Sequence, residues 1–174
     1  MPVPADARLL LHRLGRIPAY LVDEQEDIVA WNTSAAALII DFAQLPAAER
    51  NTVRVAIRLG ATICSAPAGA EGEFARQAAA DLRATIARYP AHRALGELVN
   101  EFAAHSVDFA AGWRSHDVRP RLTLRKLLNH PELGPLELDR QTLLLPGTDL
   151  RLVIYTADPD SASATALARL GRAS

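Results

Sequence analysis

The sequence predicts an α+β domain: a five-stranded antiparallel sheet, with helices inserted between strands 2 and 3 and packed on one face of it. Two short apolar runs come first, three strand-like runs come last, and helical periodicity fills the stretch between them. Short turns keep consecutive strands adjacent, so this order gives a hairpin and a three-stranded meander. The chain has 174 residues, of which 49% are hydrophobic, enough for one domain with a sizeable core.

The first two strands are expected at residues 17–22 (IPAYLV) and 28–31 (IVAW), on either side of the acidic turn DEQED. Two apolar runs around a short polar turn predict a hairpin. Asn32 follows directly and predicts a helix that extends to Phe42, because an Asn side-chain oxygen accepts a free backbone N–H at a helix start. Residues 1–16 form a predicted linker helix that closes at Gly15.

Four further helices are expected before the third strand. Pro46 opens the first, which runs to Gly60, and residues 73–89 and 91–105 form two long helices with apolar stripes. Ser106 caps the fourth helix.

The last three strands are expected at residues 122–128, 134–145 and 150–157, joined by turns that contain proline and glycine. A short helix over residues 161–170, capped by a serine, is expected to end the domain.

The residues around Trp113 form the first candidate site. Phe109 and Trp113 are four residues apart on one helix and so make an apolar wall. Arg114, His116 and Arg119 follow where the chain leaves the helix. An apolar wall beside a polar rim suits a small-molecule pocket. The same pattern also suits a helix that simply docks on a sheet, and spacing alone does not choose between the two.

Charge and cysteine content exclude several classes of protein. The 19 basic and 20 acidic residues give a formal charge of -1, so no overall field attracts nucleic acid or an anionic membrane. Cys64 is the only cysteine in the sequence, which excludes an intramolecular disulfide and a thiolate metal cluster. The sequence has neither a signal peptide nor an apolar run of membrane-spanning length, so we expect a cytoplasmic protein.

Catalytic and metal-binding patterns are weak. Ser115, His116 and Asp117 are the residue types of a hydrolase triad, but neighbours in sequence point in different directions, so we expect no enzyme. His105, His116 and His130 lack the spacing of metal ligands, and we interpret them as one satisfied histidine at a helix end and two surface histidines. Neither GxGxxG nor GxxxxGK[ST] occurs, so no cofactor is expected.

Six segments in order resemble the ligand-binding domain of MmyB-like (MltR-type) transcription regulators: IPAYLVD, IVAWN, ERNTVR, SVDFAAGWRSHDV, HPELGPLELD and LRLVIYTAD. The resemblance extends from Ile17 to about Leu170. It implies a PAS-like fold with a ligand between sheet and helices. It also implies a DNA-binding helix-turn-helix of the XRE family, outside this chain, which precedes the linker of residues 1–16 and the ligand-binding domain of residues 17–174.

The ligand implied by the resemblance is a fatty acid, or a similar apolar small molecule, held in the apolar interior. Each buried methylene contributes about 0.8 kcal/mol, so an apolar pocket holds an acyl chain without any catalytic group. The candidate ligand-binding residues are Ile39, Phe42, Leu98, Phe102, Phe109, Trp113, Arg114, His116 and Arg119. The last three are available to meet a carboxylate, and Phe109 and Trp113 are expected to form a wall that faces the sheet.

The predicted function is therefore a fatty-acid-binding sensor domain in a one-component transcription regulator. The alternative is a module for dimerisation or protein interaction that has no small-molecule ligand. Both hypotheses allow a homodimer, and in both DNA is contacted only by the helix-turn-helix.

Overall fold

The computed structural model describes residues 3–56, 72–90, 93–115 and 123–170. Its sheet has five antiparallel strands in the order β2-β1-β5-β4-β3. The strands are β1 (Ala19–Val22), β2 (Ile28–Trp31), β3 (Thr123–His130), β4 (Gly134–Leu144) and β5 (Arg151–Thr156). Because β1 pairs with β5, the first hairpin lies beside the final meander. The predicted α+β class and PAS-like outline are confirmed.

Six α-helices have bounds within the described residues. They are α1 (Ala5–Arg13), α2 (Thr33–Leu38), α3 (Glu73–Arg88), α4 (Arg93–His105), α5 (Val107–Arg114) and α6 (Ala162–Leu170). Residues 52–56 are also helical. The predicted serine caps are confirmed: the Ser106 Oγ accepts the Phe109 N–H at 3.1 Å, and the Ser161 Oγ accepts the Ala164 N–H at 3.1 Å.

The helix after Asn32 is shorter than predicted. Asn32 does cap it, but α2 ends at Leu38 rather than at Phe42. The Asp41 side chain accepts the Ala43 N–H at 3.1 Å and starts a separate 3-10 turn, Phe42–Gln44. A short polar side chain that binds the nearby backbone competes in this way with helix continuation.

The helix predicted from Pro46 is also interrupted. Pro46 opens only the 3-10 turn Ala47–Glu49, and a new helix begins at residue 52. Asn51 causes the break, because its Oδ1 accepts the Val53 N–H at 3.1 Å while its Nδ2 donates to the Asp27 Oδ1 at 2.8 Å. The chain is therefore held to the hairpin turn. The predicted stop at Gly60 lies outside the described residues.

Strand alternation gives the sheet two buried faces. One face forms what we call the sheet core, where α2 and α6 cover the strands. Its fully buried members include Val22, Leu136 and Val153. Helix α1 covers the opposite face, although the helices were expected on one face only. All four residues of β1 are buried, and a strand buried on both sides needs a cover on each.

We call the apolar group under α1 the outer core. Its members are Val3, Ala7, Leu11, Ala19, Leu21, Leu150 and Leu152.

Helices α3, α4 and α5 share a third apolar group, which we call the helical core. Its buried members are Val53, Ala78, Ala79, Leu82, Leu95, Val99, Phe102 and Phe109. Among the described residues it includes no strand residue, so these helices bury their apolar faces mainly on each other. Gly112 of α5 allows the closest approach, since an added Cβ would lie 2.7 Å from the Arg76 Cα.

Candidate functional site

Two of the predicted ligand-binding residues lie in the sheet core. Phe42 is completely buried, and its ring centroid lies 6.0 Å from that of Tyr20 and 5.4 Å from that of Trp31. Ile39 is half-buried and packs against the same core. Phe42 therefore fills space beside β1 and the edge strand β2.

Four others lie in or against the helical core. The Phe102 and Phe109 ring centroids are 5.5 Å apart at an interplanar angle of 68°, and Phe109 stacks on Trp113 at 6.4 Å and 7°. Leu98 packs against the same group. Phe109 and Trp113 share one side of α5, as predicted, but they pack against α3 and α4. The wall does not face the sheet as expected.

The polar rim begins where the helical core ends. Arg83 lies with its guanidinium carbon 4.0 Å from the Trp113 ring centroid and donates a hydrogen bond to the Trp113 carbonyl. Arg114 is exposed at the end of α5. The other two predicted rim residues, His116 and Arg119, lie outside the described residues. The structure therefore divides the six apolar candidates between two cores and does not join them in one pocket.

A band of polar side chains runs between α3 and the sheet, and the sequence reasoning missed it. We call it the polar seam; its members are Glu26, Thr52, Gln77, Asp81, Thr85, Arg140 and Arg151. Three come from α3 and two from strands β4 and β5. Polar groups between two packed layers are unusual, because each must find a partner to offset its loss of hydration.

Glu26 is the centre of one half of the seam. It has a left-handed backbone conformation, with φ of 67°, and is buried. Thr52 donates to the Glu26 Oε2 at 2.8 Å, and the Arg151 Nη1 forms an ion pair with the Oε1 at 2.6 Å. Arg151 also donates to the Asp23 carbonyl at 2.7 Å. One residue of the acidic turn thus ties the hairpin to β5 and to the inserted helices.

Asp81 is the titrating group of the seam. Its Oδ1 accepts a hydrogen bond from the Gln77 Nε2 at 3.0 Å. Burial raises the pKa of Asp81 to about 6, and the negative charge of Glu26 acts in the same direction, against the opposing charge of Arg140. The charge of the seam therefore changes just below neutral pH.

Arg140 is the seam residue whose burial the sequence could have indicated. In β4, Leu136, Leu138 and Arg140 alternate along one face, and all three are buried. Because side chains two residues apart share a face of a strand, an arginine in this register must lie on the core side. A cavity of about 140 Å³ lies beside it, between α3 and strands β4 and β5.

His105 and His130 have structural roles. His105 is exposed at the end of α4, with Nδ1 2.7 Å from the Glu101 carbonyl oxygen. His130 is buried, contrary to the expectation of a surface residue, because its ring joins the β3–β4 turn to α2. Its Nδ1 accepts two backbone N–H groups at 3.2 Å each, so Nε2 carries the proton and donates to the Ala37 carbonyl at 2.9 Å.

Neither a metal site nor a membrane-spanning helix occurs in the described ranges. No group of three His, Cys, Asp or Glu side chains there is arranged to hold a metal ion. In the same ranges, every helix is too short or too polar to cross a lipid bilayer.

Comparison with known proteins identifies the domain. The family model for the MmyB-like transcription regulator ligand binding domain matches residues 3–170, which includes α1, the whole sheet and α6. A search of curated proteins gave no match. The matched region spans both layers and the polar seam between them. The chain therefore belongs to the family of MmyB-like transcription regulator ligand-binding domains, and it is a regulatory sensor domain.

Proposed function

We propose that this domain is the sensor of a one-component regulator and that its ligand is a fatty acid. The helical core carries the proposal, because it is an apolar layer separate from the two cores of the sheet. An acyl chain would lie among Leu98, Phe102, Phe109 and Trp113. No catalytic step is involved. A helix-turn-helix of the XRE family, joined through residues 1–16, would contact DNA in the cytoplasm.

The polar seam supports a change in the position of the helical layer. Separating two apolar surfaces costs about 25 cal/mol for each Å² exposed to water. Seam groups such as Gln77 and Thr85 instead regain hydrogen bonds to water when they are exposed. An acyl chain that widens the helical core would therefore shift α3–α5 relative to the sheet at modest cost. Trp113 is only partly buried and gives a route of entry from the edge of the core.

A hydrogen-bonded connection supports transmission to the linker. Asn32 caps α2 and also donates from Nδ2 to the Ile17 carbonyl at 2.8 Å. Ser34 of α2 donates to the Gly15 carbonyl at 2.9 Å. Gly15 and Ile17 follow α1, so a shift of α2 would move the end of the linker. For regulation, the ligand must bind one of these arrangements better than the other.

The test is native mass spectrometry of the purified domain, followed by melting with added fatty acids. We expect an adduct of acyl mass, or a higher melting temperature with long-chain acids. Leu98→Glu, which puts a charge against the helical core, should weaken binding at least about tenfold. The control is Leu143→Glu, at an exposed position of β4, which should bind as the parent does.

Absence of bound lipid together with an unchanged melting temperature would refute the fatty-acid proposal. The second candidate, a dimerisation module, is favoured by Leu9 and Leu10, which are exposed side by side on α1. A dimer that Leu9→Glu dissociates, in a protein that binds no lipid, would support that candidate instead.

A further inference from the structure

The cavity between α3 and strands β4 and β5 has a mixed charged lining. Its charged residues are Glu24, Asp81, Arg88, Arg140, Asp149 and Arg151. Its volume of about 140 Å³ holds several water molecules. Charges of both signs in the lining suit a small polar molecule, and none of these charged residues is a member of the helical core.

Arg140 is the most unusual of these residues. Only 7% of its surface is exposed, yet its guanidinium makes a single hydrogen bond within the described chain, from Nη1 to the Thr142 Oγ1 at 3.2 Å. A guanidinium has five N–H donors and stays charged in proteins. Arg151, on the neighbouring strand, is by contrast occupied by the Glu26 carboxylate and the Asp23 carbonyl. Arg140 thus brings a buried positive charge to the cavity lining, where the charges of Asp81 and Glu26 also act on it.

Glu24 lines the same cavity, and one of its carboxylate oxygens lacks a hydrogen-bond donor within the described chain. Its Oε2 is buried and accepts no hydrogen bond from any described residue. A carboxylate oxygen removed from water in this way requires a donor, and a cationic donor gives the strongest bond. The cavity therefore contains a guanidinium with a single hydrogen bond to a described residue and a carboxylate oxygen with none.

We propose that this cavity binds a small zwitterion, an α-amino acid, with its carboxylate on Arg140 and its ammonium group on Glu24. A simple anion would leave the Glu24 oxygen without a donor, and a simple cation would give the Arg140 guanidinium no acceptor beyond the Thr142 hydroxyl. A small amino acid, of about five to eight non-hydrogen atoms, supplies both groups. Bidentate pairing of a guanidinium with a carboxylate adds geometric specificity.

The experiment is calorimetric titration of the whole domain with glycine, L-alanine and L-valine. The matched probes are propionate, which lacks the ammonium group, and ethylamine, which lacks the carboxylate. We expect at least one amino acid to bind at millimolar concentration or better, and each single-charge probe to bind at least about tenfold more weakly. Glu24→Gln and Arg140→Gln should each lower amino-acid affinity by about tenfold to a hundredfold.

Arg125→Gln is the control, because Arg125 is exposed on β3 and pairs with surface carboxylates. If Arg140→Gln does not fold, judged by circular dichroism, the Glu24→Gln result decides. Binding of propionate as tight as that of alanine would overturn the zwitterion assignment, as would absence of heat with all three amino acids. Fatty-acid binding in the helical core should be unchanged in both cavity variants, so the two proposals can fail separately.

Discussion

Asn32 connects three segments through one side chain. Its Oδ1 accepts the Ala35 N–H at 2.9 Å and the Ala19 N–H at 3.1 Å, and its Nδ2 donates to the Ile17 carbonyl at 2.8 Å. The residue caps α2, fixes the start of β1 and holds the chain that leaves α1. The cap was predictable from the residue type, but the other two bonds depend on which strand lies beside Asn32.

Asn32→Ala should therefore destabilise the fold more than the loss of an ordinary helix cap does. We expect a loss of about 2–4 kcal/mol in the free energy of unfolding, because the cap is lost and the buried Ala19 N–H and the Ile17 carbonyl lose their partner. Urea denaturation measures the change. Asn32→Asp keeps both acceptor bonds but loses the donor, so its loss should be smaller; equal losses in both variants would contradict this assignment.

Asp81 makes the stability of the fold depend on pH. Its pKa rises from 3.8 to about 6 on folding, so the unfolded chain loses this proton first. The raised pKa therefore stabilises the folded state in full below about pH 4. This stabilisation is lost as pH rises through about 6. The size is up to about 3 kcal/mol, at 1.4 kcal/mol for each unit of pKa shift.

Asp81→Asn should remove this part of the pH dependence. The variant should gain stability relative to the parent between about pH 4 and pH 7, measured by denaturation at each pH. The matched control is Asp160→Asn at an exposed residue with φ of 61°, a conformation that Asn also adopts readily. Parallel pH profiles for the parent and Asp81→Asn would show that burial does not perturb this carboxyl group.

At the scale of elements, the helical layer depends on the contact between α3 and α5. Gly112 lets the two backbones approach, and the Arg76 side chain also donates to the Asp108 Oδ1 at 3.0 Å. Gly72, before α3, has φ of 76° and packs against the same aspartate, where an added Cβ would overlap it. Small residues at these two positions therefore set the spacing of the layer.

Gly112→Ala should destabilise the domain by about 1–3 kcal/mol, because its methyl group would lie 2.7 Å from the Arg76 Cα and 3.0 Å from the Arg76 carbonyl oxygen. Gly96→Ala in α4 is the control. Nothing lies within 4 Å of its added Cβ, so it should stabilise the helix by about 0.5–1 kcal/mol. Thermal melting of both variants gives the comparison, and a neutral Gly112→Ala would mean that the two helices are not in close contact.

Helical periodicity and caps predicted where helices form better than they predicted where those helices are interrupted. Ser106 and Ser161 start helices as expected, because a cap is a local property of a few residues. The break at Asp41 is local, since its side chain accepts the Ala43 N–H, but the break at Asn51 depends on a tertiary contact. Asn51 ends one segment by binding Asp27 across the fold, and nothing in its own segment indicates that partner.

At the scale of the whole molecule, the sequence indicated which residues are buried but not which core each one joins. Phe42 and Phe109 are both completely buried, as apolar periodicity suggests. They belong to different cores, since a helix stripe does not say which layer covers it. Glu26 was missed for a related reason: a charged residue in a turn is usually solvated, and only tertiary pairing with Arg151 and Thr52 explains its burial.

The separation of the cores gives the domain two layers joined by polar groups, with α1 held on the far side of the sheet. A ligand in the helical core can influence α1 only if it also changes α2 or the sheet. Asn32 and Ser34 are the described contacts through which that change would reach Gly15 and Ile17.

Hydrogen exchange of the domain with and without a saturating long-chain fatty acid tests this account most directly. We predict slower amide exchange in α4 and α5, around the proposed acyl site, together with altered exchange in α2 and α1. Asn32→Ala should keep the first effect and lose the second. Slower exchange confined to α4 and α5 in the parent protein would contradict transmission to the linker, and unchanged exchange throughout would contradict the ligand site itself.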